Sequence, residues 1–116
     1  MKRPGQIVLV PFPFTDLSGS KLRPVLMMRS ASRRYDDWLV CMVSSQLQQA
    51  EPDLDEIIRQ DEAEFAATGL KASSVVRLSR LAVIDGDMLV GCLGTISDER
   101  LESLCQRLAA WLTTPL

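Results

Sequence analysis

Histidine is absent from this chain of 116 residues, and its absence removes several kinds of chemistry. Ser-His-Asp triads, Cys-His pairs and acid–base catalysis by imidazole all require a histidine, and nearly every zinc site uses one. The groups that remain for acting on a substrate are arginine, lysine, serine, threonine and the carboxylates. A candidate site must therefore be built from guanidinium groups, hydroxyls and acids.

Cysteine is scarce as well, with three residues far apart in the sequence: Cys41, Cys92 and Cys105. No Cys-x-x-Cys spacing occurs, so the chain has neither a metal knuckle nor a thioredoxin-like pair. Isolated thiols with apolar neighbours are typical of small buried residues in a reducing compartment. We therefore expect no metal and no other cofactor.

Long apolar runs are also lacking, since no segment approaches the roughly 18 residues that a membrane-spanning helix needs. The apolar stretch that begins at Ile7 is broken by Pro11 and Pro13, which argues against a signal peptide. We expect a cytoplasmic protein with no membrane partner. The length and the 47% of hydrophobic residues indicate a single domain over residues 1–116.

The net charge is only −2, but the charges are sorted along the chain. Residues 1–50 hold seven basic residues against three acidic ones, whereas residues 51–64 hold seven acidic residues against Arg59 alone. Such sorting can present a cationic surface to a polyanion while the protein remains acidic overall. The alternative is that both runs are solvated faces. The acidic run has no calcium-loop pattern, and we expect it to be such a face.

Hydrophobic periodicity predicts five or six short strands followed by one helix. The predicted strands cover residues 6–11, 24–29, 38–43, 54–59, 74–85 and 88–96. Residues 61–68 have a helical composition that stops at Gly69. Ser97 is a suitable N-cap for the last element, whose leucines recur at helical spacing as far as Pro115. The pattern indicates a mainly β fold, a small coiled barrel with the helix against one side.

Arg23 is the first candidate for chemistry. Because proline disfavours the helical region for the residue before it, Pro24 holds Arg23 extended where loop meets strand. A guanidinium matches phosphate oxygens with two parallel hydrogen bonds. The alternative is an ordinary surface arginine ahead of a strand.

Ser44, Ser45 and Gln46 form the second candidate, because they directly follow the strongest predicted strand. Hydroxyls and amides at the rim of a sheet can bind phosphate and ribose. A strand end made of good turn-forming residues is the alternative.

Other polar residues lie near these two candidates in the predicted elements. Thr15, Asp16 and Lys21 occupy the first predicted loop, where they either close over a ligand or are ordinary loop residues. Arg77 and Arg80 are three positions apart on a predicted strand and should face opposite sides unless a bulge intervenes. Only one of them is therefore expected to reach a given site.

The order of these segments resembles the PemK/MazF family of toxins from type II toxin–antitoxin systems. The resemblance rests on residues 5–10, the Pro-Phe-Pro-Phe-Thr-Asp segment at 11–16, the Lys-Leu-Arg-Pro segment at 21–24, residues 43–46, and the long strand and helix that follow. It implies an SH3-like barrel of the CcdB/MazF type, with five to seven strands and a C-terminal α-helix. It also implies a homodimer and an antitoxin partner whose flexible acidic tail covers a basic groove.

The activity that the resemblance implies is metal-independent, sequence-specific cleavage of single-stranded RNA, leaving 2′,3′-cyclic phosphate and 5′-hydroxyl ends. The family's essential arginine falls on Arg23 and its hydroxyl residue on Ser44, and these two are expected to be catalytic. Serine replaces the usual threonine at this position, so the hydroxyl is kept but the β-branch that restricts χ1 is lost. The residues expected to bind RNA are Thr15, Asp16, Lys21, Ser45, Gln46 and Arg80.

Our hypothesis for the chemistry is that Arg23 stabilises the anionic transition state and Ser44 holds a phosphate oxygen, while Asp16 or a water assists the proton. Two alternatives remain open. One is a gyrase poison of the CcdB type, which depends on a C-terminal Trp-Gly-Ile, whereas this chain ends Trp-Leu-Thr-Thr-Pro-Leu. The other is a barrel that binds RNA without cutting it.

Overall fold

The computed structural model describes residues 1–12 and 21–115. These residues form six strands: β1 (Gln6–Phe12), β2 (Lys21–Ser30), β3 (Asp37–Ser44), β4 (Glu56–Ile58), β5 (Ser74–Asp85) and β6 (Gly91–Thr95). Neighbouring strands are antiparallel in the order β4-β5-β3-β2-β1-β6, and the sheet curls into a half-barrel. A short helix α1 (Phe65–Thr68) precedes β5, and α2 (Asp98–Leu112) closes the chain. The mainly β fold with a C-terminal helix is confirmed.

The strand boundaries differ from the predicted ones mainly at β2 and β6. Pairing between β1 and β2 continues to Phe12 and Lys21, so β2 begins three residues before Pro24 and includes Arg23. A 3-10 turn at Gly86–Met88 delays β6 until Gly91. That turn is stabilised by the Asp85 side chain, which accepts a hydrogen bond from the Asp87 backbone N–H at 2.9 Å.

Side-chain alternation gives the sheet two apolar faces. The first face is covered by α2, and the cluster between them holds twelve buried side chains of the described residues, of which α2 contributes Leu104 and Leu108. The second face carries a separate buried cluster: Val8, Val10, Val25, Met27, Trp38, Val40 and Ile84. Because both faces are buried, the central strands are apolar without interruption, most visibly the four consecutive buried residues Val25–Met28 in β2.

Two glycines allow α1 to lie directly against β6. Gly69 ends α1 in the left-handed region with φ 69°, as the sequence predicts, and a Cβ there would collide with the Leu93 carbonyl. At Gly94 a Cβ would collide with the Ala67 carbonyl oxygen. Both positions therefore require the missing side chain.

The acidic run is more than a solvated face, which corrects the sequence-based expectation. The Arg100 guanidinium in α2 contacts three carboxylates, with Glu56 Oε2 and Glu62 Oε1 at 2.6 Å and Glu64 Oε1 at 3.0 Å. Arg107 adds a bond to Glu56 Oε1 at 3.0 Å. These ion pairs connect β4 and the segment before α1 to α2. The Arg100 side chain, which forms three of them, is only 14% exposed.

The cysteines also depart in part from expectation. Cys41 is buried and Cys105 half-buried, and burial raises the pKa of both thiols. Cys92 in β6 is exposed instead, because β6 is the outermost strand of the sheet. All three are free thiols.

The Arg100 network makes a testable contribution to stability. Replacing Arg100 by Ala removes the cation that Glu56, Glu62 and Glu64 share, so the free energy of unfolding should fall by about 2–3 kcal/mol. Urea denaturation measures the change. Arg33→Ala, which removes an exposed arginine with no ion pair among the described residues, should change stability by less than about 0.5 kcal/mol. Equal losses in the two variants would contradict the role given to the network.

The same network sets a pH dependence. The hydrogen bond from Arg100 lowers the pKa of Glu62 below its ordinary value of 4.5. The unfolded state therefore binds more protons between the folded and the unfolded pKa, and stability rises with pH across that window. We expect the free energy of unfolding to fall as the pH drops below about 4.5, through the lowered pKa of Glu62. The fall should be shallower in Arg100→Ala, and an identical slope in both proteins would contradict this assignment.

Candidate functional site

The register of β2 against β3 brings Arg23 and Ser44 to one end of the sheet. Val25 pairs with Met42, and Arg23 and Ser44 each lie two residues further in the same direction. Arg23 is also paired with Val10, whose side chain belongs to the second face. Because alternate residues share a face, Arg23 and Ser44 both leave the sheet on the side opposite α2.

The turn after β3 is organised by Ser44. Its Oγ accepts a hydrogen bond from the Gln46 backbone N–H at 3.0 Å, which closes a tight turn. Gln46 in turn accepts through Oε1 from Gln48 Nε2 at 2.9 Å. Ser45 and Gln46 are exposed beyond the strand, while Ser44 is half-buried. The hydroxyl proton of Ser44 has no acceptor among residues 1–12 and 21–115, so it is available to a ligand.

A bulge in β5 brings Arg77 to the same place. Cys41 pairs with Leu81, but Met42 pairs with Arg77, so residues 78–80 bulge out of the ladder. Arg77 consequently shares the face of Met42 and lies beside Ser44, which pairs with Val75. Arg23 is level with Ser44 and Arg77 is level with Met42. With adjacent strands about 4.8 Å apart and a rise of about 3.4 Å per residue, the Arg23 and Arg77 backbones lie roughly 12 Å apart across β3. We call Arg23, Ser44, Ser45, Gln46 and Arg77 the strand-end cluster.

The Arg77 guanidinium forms an ion pair with Asp55. The Asp55 side chain is fully buried, and its Oδ2 lies 3.7 Å from Arg77 Nε. Arg77 Nη1 donates to Gln49 Oε1 at 3.4 Å, at the edge of hydrogen-bond range. Arg77 Nε is buried and lacks a hydrogen-bond partner in the part of the chain that the structure describes. The guanidinium therefore keeps donors for a further acceptor.

The other predicted site residues on β2 and β5 are exposed, and those in the first predicted loop lie outside the described residues. Arg80 lies exposed within the bulge and makes no side-chain hydrogen bond or ion pair with any described residue. Lys21 is exposed at the start of β2, opposite Phe12. Thr15 and Asp16 lie outside the described residues, so their predicted contacts with RNA stay predictions.

The sequence predicts that Arg80, rather than Arg77, binds RNA, and it does not single out Asp55. The signal for Arg77 was its spacing of two from Val75 on an apolar strand, which places an arginine on a face otherwise filled by hydrophobic residues. The signal was obscured because a bulge changes which residues share a face, and no residue in 78–80 marks one. Asp55 was hidden within the acidic run.

The described residues contain no group of three or more His, Cys, Asp or Glu side chains placed to hold a metal ion. Nor does any helix among them have the length and apolar character to cross a membrane. The strand-end cluster itself offers two guanidinium groups around a hydroxyl, a combination suited to binding a phosphate diester.

Comparison with known proteins assigns the chain as a whole to a family. The chain matches the model of the PemK-like, MazF-like toxins of type II toxin–antitoxin systems over residues 3–112. It therefore belongs to that family, as the sequence motifs indicate, and is a toxin of a type II toxin–antitoxin system.

Two solved structures share its fold. One is an endoribonuclease in complex with its cognate antitoxin from a mycobacterial species, with a TM-score of 0.71, 14% identity, and coverage of 100% of this chain and 99% of that one. The other is the Mycobacterium tuberculosis toxin MazF-mt6, with a TM-score of 0.69, 17% identity, and coverage of 98% and 100%. No curated protein sequence matches the chain significantly.

Proposed function

We propose that this toxin is a metal-independent, sequence-specific endoribonuclease that cleaves single-stranded RNA to 2′,3′-cyclic phosphate and 5′-hydroxyl ends. The observation that carries the proposal is the placement of Arg23 and Arg77 on either side of Ser44, on one face and at one end of the sheet. One of the structurally similar proteins is itself an endoribonuclease. The whole chain, residues 1–116, acts as one toxin domain in this account.

The reaction begins with attack of the ribose 2′-oxygen on the adjacent phosphorus. The new bond to phosphorus forms as the bond to the 5′-oxygen breaks, and negative charge accumulates on the two non-bridging oxygens. Two fixed guanidinium groups stabilise that charge, and they do so most in the transition state, where it is greatest. The Ser44 hydroxyl donates to one phosphate oxygen and so aligns the phosphorus for in-line attack.

The proton of the 2′-hydroxyl must leave and the departing 5′-oxygen must gain one. Arginine is unsuited to accept the first proton because its pKa lies above about 12. In our account a water, or the Asp16 carboxylate predicted from the sequence, accepts that proton, and a water donates the proton that the departing 5′-oxygen gains. Lys21, Ser45, Gln46 and Arg80 are placed near the end of the sheet or in the bulge, and we assign them to binding the RNA on either side of the cut.

The expected partners follow from the charges. Single-stranded RNA and a flexible acidic antitoxin tail both present negative groups to the exposed Arg23, and a bound tail would therefore exclude RNA. The antitoxin in the solved complex is the partner of that other toxin, and it motivates the expectation of a cognate antitoxin here. A homodimer acting in the cytoplasm completes the proposal.

The direct test incubates the purified toxin with a long single-stranded RNA transcript in excess EDTA. We expect discrete fragments whose 5′ ends accept phosphate from polynucleotide kinase without prior phosphatase treatment, as 5′-hydroxyl ends do. Arg23→Ala should lower the cleavage rate about 10²–10³-fold, because it removes a group aimed at the developing charge. Arg33→Ala is the matched control, an exposed arginine outside the cluster, and it should cleave at the wild-type rate.

The outcomes separate the competing functions. RNA binding without scission would establish the non-catalytic barrel, and cleavage only after addition of a divalent cation would refute metal independence. An unchanged rate in Arg23→Ala would remove that residue from the mechanism.

Ser44 permits a finer test of the hydroxyl. Ser44→Ala removes the phosphate donor together with the bond from Gln46 N–H, and the rate should fall about 10²-fold. Ser44→Thr keeps the hydroxyl and restricts χ1, so its rate should equal or exceed that of the wild type. Single-turnover cleavage of one mapped site measures both variants, and equal rates for Ala and Thr would show that the hydroxyl takes no part.

A further inference from the structure

We propose that Asp55 is a positioning residue for RNA cleavage, a buried carboxylate that fixes the Arg77 guanidinium at the strand-end cluster while leaving its terminal nitrogens free for phosphate. This inference rests on the proposed function and deepens it. Asp55 touches no substrate in this account and acts only through Arg77.

Asp55 is immobilised by groups other than Arg77. Its Oδ1 accepts from the Ser79 backbone N–H at 3.0 Å, and its Oδ2 accepts from Ser79 Oγ at 2.9 Å and from the Glu51 backbone N–H at 2.8 Å. The side chain has no exposed surface. With both oxygens engaged by the backbone and by Ser79, the carboxylate cannot turn to follow the guanidinium, so it is a fixed negative charge beneath Arg77.

The contact between the two ions is electrostatic rather than a paired hydrogen bond. Nε and Oδ2 are 3.7 Å apart, and Nε has no hydrogen-bond partner among the described residues. A bidentate Arg–carboxylate pair would instead use two guanidinium donors. Here the charge of the half-buried Arg77 is balanced, yet Nη2 has no partner in the described chain and Nη1 makes only the 3.4 Å contact with Gln49.

The β5 bulge explains why this carboxylate lies there. Residues 78–80 leave the ladder, and this frees the Ser79 backbone N–H and hydroxyl to bind Asp55, which precedes β4. The bulge thus brings a residue of the acidic run beneath an arginine of the second face. A carboxylate held this way raises the cost of moving Arg77, because moving it would leave a buried charge unpaired.

The experiment is a double-mutant cycle on the steady-state kinetics of RNA cleavage in EDTA. Asp55→Asn keeps the size of the side chain and removes its charge, and we expect it to lower kcat about 10–10²-fold through misplacement of Arg77, with a smaller effect on KM. In an Arg77→Ala background the same change should cost less than about 2-fold, because the group that Asp55 positions is gone. Asp53→Asn is the control, since it removes an exposed carboxylate two residues away that has no side-chain hydrogen bond or ion pair among the described residues, and it should cleave within about 2-fold of wild type.

The outcomes distinguish failure of this inference from failure of the proposed function. Equal losses from Asp55→Asn in both backgrounds would show a general structural role and overturn the inference, as would full activity of Arg77→Ala in a toxin that cleaves RNA. In those two cases the proposed endoribonuclease function still stands. A wild-type protein that does not cleave RNA refutes the proposed function itself, and the inference with it.

A measurement on the wild-type protein tests the inference even if the Asp55→Asn variant does not fold. The order parameter of the Arg77 Nε–H bond, from ¹⁵N NMR relaxation, should approach the value of about 0.85 typical of rigid backbone. The exposed Arg33 should fall below about 0.6. A mobile Arg77 Nε in the folded toxin would overturn the inference.

Discussion

The pairing register of β3 with its two neighbours is the constraint on which the rest of the site depends. On one side Met42 pairs with Val25, and on the other it pairs with Arg77. The first pairing sets Arg23 level with Ser44, and the second, through the β5 bulge, sets Arg77 beside them. A slip of one residue in either ladder would send the arginine to the α2 side of the sheet. The buried side chains on both faces oppose such a slip, so core packing fixes the positions of the strand-end cluster.

The basic and acidic residues that are sorted along the sequence have different environments in the structure. Most basic residues of the first half remain exposed, whereas several carboxylates of residues 51–64 form ion pairs with arginines of the same chain. Glu56, Glu62 and Glu64 hold α2 through Arg100, and Asp55 lies beneath Arg77. A chain of net charge −2 can therefore present a cationic site to a polyanion, because part of its negative charge is neutralised by ion pairs within the protein.

The fold could be predicted to a large extent because its signals are local. Continuous apolar runs marked β1 and β3, and apolar residues interleaved with arginine and serine marked β5. Ser97 marked the start of α2, where its Oγ accepts a hydrogen bond from the Arg100 backbone N–H at 3.2 Å. Arg23 and Ser44 could be selected because Arg23 directly precedes a proline and Ser44 directly follows an apolar run. Arg77 and Asp55 could not be assigned their roles, because their relation depends on a bulge with no marker in residues 78–80 and on contacts 22 or more residues apart in sequence. Long-range pairing of this kind is absent from local patterns.

The most direct measurement is a crystal structure of the toxin with an RNA oligonucleotide that contains its mapped cut site and a 2′-deoxy nucleotide at the position of attack. Without the 2′-oxygen the RNA binds but is not cleaved. The account requires the scissile phosphate within hydrogen-bond distance of the Arg23 and Arg77 guanidinium groups and of Ser44 Oγ. A scissile phosphate bound elsewhere on the sheet, with neither guanidinium in contact, would contradict it.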